Sequence, residues 1–177
     1  MRKWLRAVNP LMKPRGMAEA QWAAQSMVIA LALSFLGGLP GAIWMALNPG
    51  WFMESMATLQ TTSELSAHDI ETAKPLLEML MRVGVLIGLL ITGVVYAILA
   101  WVQWRRMTRW IPAVWLAFAA YGWAMMLVRR VSGPVEIIQI GPLWMPALAQ
   151  ACSIVATIIV IASLRGAIML HRLRREP

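Results

Sequence analysis

The stretch MVIALALSFLGGLPGAIWMAL, residues 27–47, contains no Asp, Glu, Lys, Arg or His. A helix rises about 1.5 Å per residue, so about 20 residues cross a hydrocarbon core of about 30 Å. Residues 83–102, 110–128 and 146–164 are also free of charge and of similar length. Hydrocarbon gives bare peptide groups no hydrogen-bond partner, so each block is expected to be a helix. The pattern predicts an all-α, polytopic membrane protein: a four-transmembrane-helix bundle with a short outer helical segment between spans 1 and 2. Composition agrees, because the chain is 60% hydrophobic and 14% charged. A water-soluble domain runs at about 45–50% and about 25%.

Lysine and arginine predict the orientation. Arg2, Lys3, Arg6, Lys13 and Arg15 precede the first block, and Arg105, Arg106 and Arg109 fill the turn between the second and third. Arg165, Arg172, Arg174 and Arg175 follow the fourth. Twelve of the 16 bases thus fall on one side, which the positive-inside bias assigns to the cytoplasm. Six of the eight acids fall on the other side. The expected setting is a bacterial inner (plasma) membrane, crossed four times, with both termini cytoplasmic. The net charge of +8 reads as a topological signal and a handle on anionic lipid headgroups, not as a nucleic-acid surface. Trp22, Trp51, Trp101, Trp104, Trp110 and Trp144 lie at or near block ends, where an amphipathic ring favours the headgroup layer.

Three regions follow. Residues 1–26 read as a basic interfacial arm that Pro10 and Pro14 keep from forming one helix. Residues 27–164 form the membrane domain, with an outer segment at 48–82 and an outer loop at 129–145. Residues 165–177 are a basic tail. Within the outer segment, Ser63 or Ser66 suits a helix N-cap, and Pro75 opens or kinks the helix that continues into the second span. The turn at 103–109 is short enough to predict antiparallel neighbours for spans 2 and 3. VEIIQIGPLW, residues 135–144, alternates like a strand between Gly-Pro breaks.

Helices in lipid associate through close packing and shared polar contacts rather than hydrophobic burial. Each span carries small residues at about four-residue spacing: Ala30, Ser34, Gly38, Ala42 and Ala46; Gly84, Gly88 and Thr92; Ala113, Ala117, Ala120 and Ala124; Ala147 and Ala151. These stripes are expected to face one another within the chain, with one free to serve a dimer or a partner.

Candidates for chemistry are few. No span holds an ionisable group of the kind that proton relays and intramembrane proteases need. Pro40, within Gly37-Gly38-Leu39-Pro40-Gly41, interrupts the first span and reads as a kink or a broken-helix site. Gln150, Ser153 and Thr157 share a face of the fourth span and read as cross-helix hydrogen-bonding groups or a polar path. Glu64, His68 and Glu71 share a helical face that reads as solvated, with a weak metal or pH alternative. Arg129 and Arg130 lie on the base-poor side, either reaching outer phosphates or pairing with Glu71, Glu78 or Glu136. Cys152 has no second cysteine with which to form a disulfide.

The expected function is contact rather than catalysis: a non-enzymatic accessory, assembly or regulatory subunit of a larger membrane system. Alternatives are a small transporter or oligomeric channel for an apolar or zwitterionic substrate, and a toxin-immunity membrane protein. No metal or cofactor is expected. The partners are anionic lipid headgroups and a second membrane protein or another copy of the chain, with no nucleic acid.

Overall fold

In a computed structural model, residues 16–50, 67–131 and 142–174 are described, with Asn9, Met12 and Pro14; residues 67–73, 129 and 130 are described by backbone alone. The described residues are helical throughout their ordered elements and contain no strand. The helices are α1 (Met17–Gln25), α2 (Met27–Leu47), α3 (Ala67–Arg106), α4 (Trp110–Val131) and α5 (Trp144–Leu173). Four helical stretches are long and apolar enough to cross a membrane: Met17–Leu47, Lys74–Arg106, Trp110–Val128 and Trp144–Leu173.

The helices outrun the charge-free blocks except at α2. α3 is 40 residues long, about 60 Å at the α-helical rise. Its block at 83–102 accounts for half of that length, and the helix passes through Pro75 without a break. α1 and α2 are nearly one helix, joined at Ser26. The Ser26 N–H is shared between Trp22 O at 3.1 Å and Ala23 O at 3.3 Å, the mix of spacings that marks a tightened turn.

α2 and α5 form the central pair. Met27, Ala30 and Leu31 bury fully against Ala156 and Val160. α3 packs on the far side of α2, where Phe35 meets Tyr96 with ring centroids 6.0 Å apart. α4 packs on α5, and α1 lies against the last turns of α5. The spatial order is therefore α3, α2, α5, α4. This corrects the expectation drawn from the short turn: α3 and α4 share no extended contact of their own beyond that turn. A tight turn fixes only where two helices begin to diverge, and here each finds a better partner.

The packing faces also differ from the predicted stripes. Four residues advance a helix by about 400°, so a strict four-residue stripe drifts about 40° per step. Gly38 has open space where its Cβ would be, as do Gly84 and Gly88, and Ala117, Ala120 and Ala124 are exposed. The close approaches lie elsewhere. A Cβ on Gly37 would sit 2.7 Å from Cys152 Cβ. One on Gly166 would sit 2.5 Å from Ala23 Cβ, 2.8 Å from Ala24 N and 2.9 Å from Ala20 O. Ala20, Ala23 and Ala24 are fully buried against this part of α5. Part of the segment expected as an interfacial arm is thus built into the bundle.

The outward surface is strongly apolar. On α3, Leu86, Leu90, Ile91 and Ile98 are each more than half exposed. Water-soluble monomers rarely leave apolar patches beyond a few hundred Å² uncovered. A helix pair wrapped by exposed leucine, isoleucine and valine points to an all-α multi-pass membrane protein.

Candidate functional site

Three polar features stand out from this apolar frame. The first ties the bundle at its basic end. The Ala24 carbonyl has two lone pairs, and both have donors: Gln103 Nε2 at 3.1 Å and Ser163 Oγ at 3.0 Å. Thr108 Oγ1 donates to Gln103 Oε1 at 3.1 Å, and Ser26 Oγ donates to Ala23 O at 2.7 Å. Gln103 and Ser163 are fully buried. One carbonyl therefore joins α1, α3 and α5. Gln103 begins the stretch expected as a turn, and Ser163 lies in the fourth charge-free block, apart from the expected polar face at Gln150, Ser153 and Thr157. The available signal was a lone glutamine ending an apolar run, level with small residues on two other helices.

The second feature is a groove between α4 and α5. Ala119, Gly122, Trp123, Met126, Gln150 and Ser153 enclose about 210 Å³. A neighbouring hollow of about 320 Å³ adds Leu127 and Pro146 and shares Gln150. Of the predicted polar face, Gln150 and Ser153 reach this groove. Thr157 instead donates to Ser153 O at 2.7 Å within its own helix. Neither the Gln150 amide nor the Ser153 hydroxyl has a hydrogen-bond partner among the described residues. An unmet amide donor would cost several kcal/mol in hydrocarbon, on the order of 2–7.

The third is a cleft of about 270 Å³ between the α3–α4 turn and the end of α5, lined by Arg106, Met107, Thr108, Arg109, Trp110, Ala167, Leu170, His171 and Arg174. It brings together bases that in the sequence stand as an orientation signal. Arg109 lies over the Trp110 ring at 5.8 Å from its centroid, within cation–π range. Met107 turns the chain with φ of 47°, the left-handed conformation that costs a residue with Cβ roughly 1–2 kcal/mol. Its N–H closes on Gln103 O at 2.9 Å, ending α3.

The remaining candidates are dispersed. Pro40 is half-buried inside α2, which continues through it, so the predicted interruption is not a break. Removal of one N–H leaves a single free carbonyl a turn earlier. His68 and Glu71 fall on the first turns of α3 and Arg129 and Arg130 on the last turn of α4, all without described side chains. Glu64, Glu136 and the strand-like alternation up to Ile140 lie outside the described residues. Compared with known proteins, the chain matches no family model, no curated protein and no solved structure.

Proposed function

We propose that this chain is a non-enzymatic, multi-pass protein of a bacterial inner membrane, with both termini cytoplasmic, that works as an accessory, assembly or regulatory subunit. The carrying observation is the groove holding Gln150 and Ser153, polar groups on an apolar outer surface with no hydrogen-bond partner among the described residues. Helices in lipid recognise one another through such groups, each cross-helix bond contributing about 0.6–1.7 kcal/mol. The occupant that fits is a helix of another subunit offering a carbonyl or hydroxyl. Spans α3 and α4, largely unburied within the chain, leave lateral room for it.

A photo-crosslinking residue at Met126, in native membranes, tests this reading. It should give one protein adduct of defined mass, absent when the probe sits at Ile87 on the open face of α3. Gln150→Leu should reduce that adduct at least five-fold. Adducts with lipid alone, or an adduct indifferent to Gln150→Leu, would refute the subunit reading. Solute flux in liposomes that depended on Gln150 would favour the transporter reading instead.

A further inference from the structure

We propose that the cleft between the α3–α4 turn and the end of α5 binds a phosphate oxyanion, carried on an anionic lipid headgroup. Arg106, Arg109 and Arg174 all line it, and no carboxylate among the described residues does. Among the described residues none of the three has an ion pair. Guanidinium groups gathered in one hollow repel each other, the more so beside a low-dielectric wall. A bound anion removes that cost. Arginine also presents a planar fork of donors that matches two phosphate oxygens at once, which suits a phosphate better than a chloride.

The turn looks built to hold these groups. Met107 adopts a left-handed φ, Thr108 after it is pinned to the buried Gln103, and Arg109 is steadied on Trp110. Strain of that kind persists only where the surroundings impose it, and it gathers at binding sites. Depth fits as well. Ala167 to His171 lie four to eight residues beyond Ser163, about 6–12 Å further along the axis. If the charge-free blocks fill the hydrocarbon, this level is the headgroup layer. Trp110, 69% exposed, then borders the cleft where indole rings favour the interface. The assignment to lipid, unlike the oxyanion site itself, rests on the membrane reading above.

Native mass spectrometry of the full chain in mild detergent provides the test, with phosphatidic acid, phosphatidylcholine and inorganic phosphate as separate probes. Wild type should retain phosphatidic acid and release phosphatidylcholine. Arg106→Gln, Arg109→Gln and Arg174→Gln should each weaken retention about five-fold, the factor expected for one interfacial base. Arg172→Gln, exposed and outside the cleft lining, should change it less than two-fold. Size-exclusion profiles check that each variant keeps the fold. Arg109→Lys should also weaken binding if the planar fork matters. Inorganic phosphate retained as well as phosphatidic acid, with the same arginine dependence, would keep the site and assign it to the free anion. Equal loss in Arg172→Gln, or equal retention of phosphatidylcholine, would overturn it.

Discussion

Replacing Gly166 with alanine should separate α1 from α5 and weaken the whole bundle. The added Cβ would lie 2.5 Å from Ala23 Cβ and 2.8 Å from Ala24 N. Carbon atoms rest at about 3.5–4.0 Å, so α1 must retreat by at least about 1 Å. Neither obstacle is the end of a flexible side chain, so rotamer changes cannot absorb the clash. The same retreat stretches the bonds to Ala24 O from Gln103, now 3.1 Å, and from Ser163, now 3.0 Å. At about 4 Å neither survives as a hydrogen bond. Overpacking of this kind costs about 1–3 kcal/mol, and each lost cross-helix bond adds about 0.6 kcal/mol. Alanine's better helix propensity returns about 1 kcal/mol. The expected net loss is about 2 kcal/mol. Gly88→Ala is the matched control, because nothing lies within 4 Å of its Cβ position, and it should be neutral or up to about 1 kcal/mol more stable. Unfolding in mixed micelles of rising dodecyl sulfate fraction, followed by circular dichroism, measures both. A Gly166→Ala protein as stable as Gly88→Ala would refute the close approach and the tie built on it.

Other substitutions probe other joints of the structure in the same assay. Gln103→Leu removes a donor to Ala24 O and the acceptor for Thr108, and should cost about 1–2 kcal/mol. Gly37→Ala should cost about 1–3 kcal/mol because its Cβ would meet Cys152 Cβ at 2.7 Å. Cys152→Gly in the same chain should recover at least half of that loss; a double-mutant cycle showing no coupling would contradict the contact. Met107→Gly relieves the left-handed φ of 47° and should raise the unfolding midpoint, by up to about 1 kcal/mol. A lowered midpoint would show that the Met107 side chain contributes more than its backbone costs.

Element type was legible because charge avoidance is a property of local sequence. Residues 27–47 coincide with α2, and every other charge-free block lies inside one helix. The packing was less legible, for a reason visible at two residues. The first predicted span starts at Met27 and Arg165 ends the fourth, so Ala20, Ala23, Ala24, Gly166 and Ala167 were left outside the predicted spans. Yet these form the closest helix contact, with Arg165 only half-buried at its edge. A long arginine side chain can run along an apolar surface and carry its charge away from it, so a charge ends the window without ending the interface. The basic cleft was hidden differently. Arg106, Arg109 and Arg174 were visible as an orientation signal, but their meeting depends on where α5 ends relative to a turn 65 residues earlier, and residue spacing does not carry that. Gln150 and Ser153 were legible as a pair, and Thr157 was not separable from them until its bond to Ser153 O was seen.

The four long helices share burial unequally, and a hydrocarbon solvent would account for the inequality. Of the most apolar stretch in each, 28% and 22% is buried for the helices containing α2 and α5, against 0% and 6% for those containing α3 and α4. In water such exposed surface would drive α3 and α4 together. In hydrocarbon no such drive exists, since lipid tails replace side-chain contacts at little cost. What holds helices there is close backbone approach and shared polar bonds, and both are concentrated where Ala24, Gln103, Ser163 and Gly166 meet. The bundle is therefore fastened at its basic end and open between α3 and α4 beyond their turn. The two proposed sites fall on opposite sides of that division. The arginine cleft sits against the fastened end, where the α3–α4 turn is tied through Thr108 to the buried Gln103. The Gln150 groove sits toward the other end, where α4 has few contacts and can adjust to a partner. Loosening the tie with Gln103→Leu should thus weaken phosphatidic acid retention at the cleft while leaving the Met126 crosslink in place, and the reverse pattern would mean that the two ends are not independent.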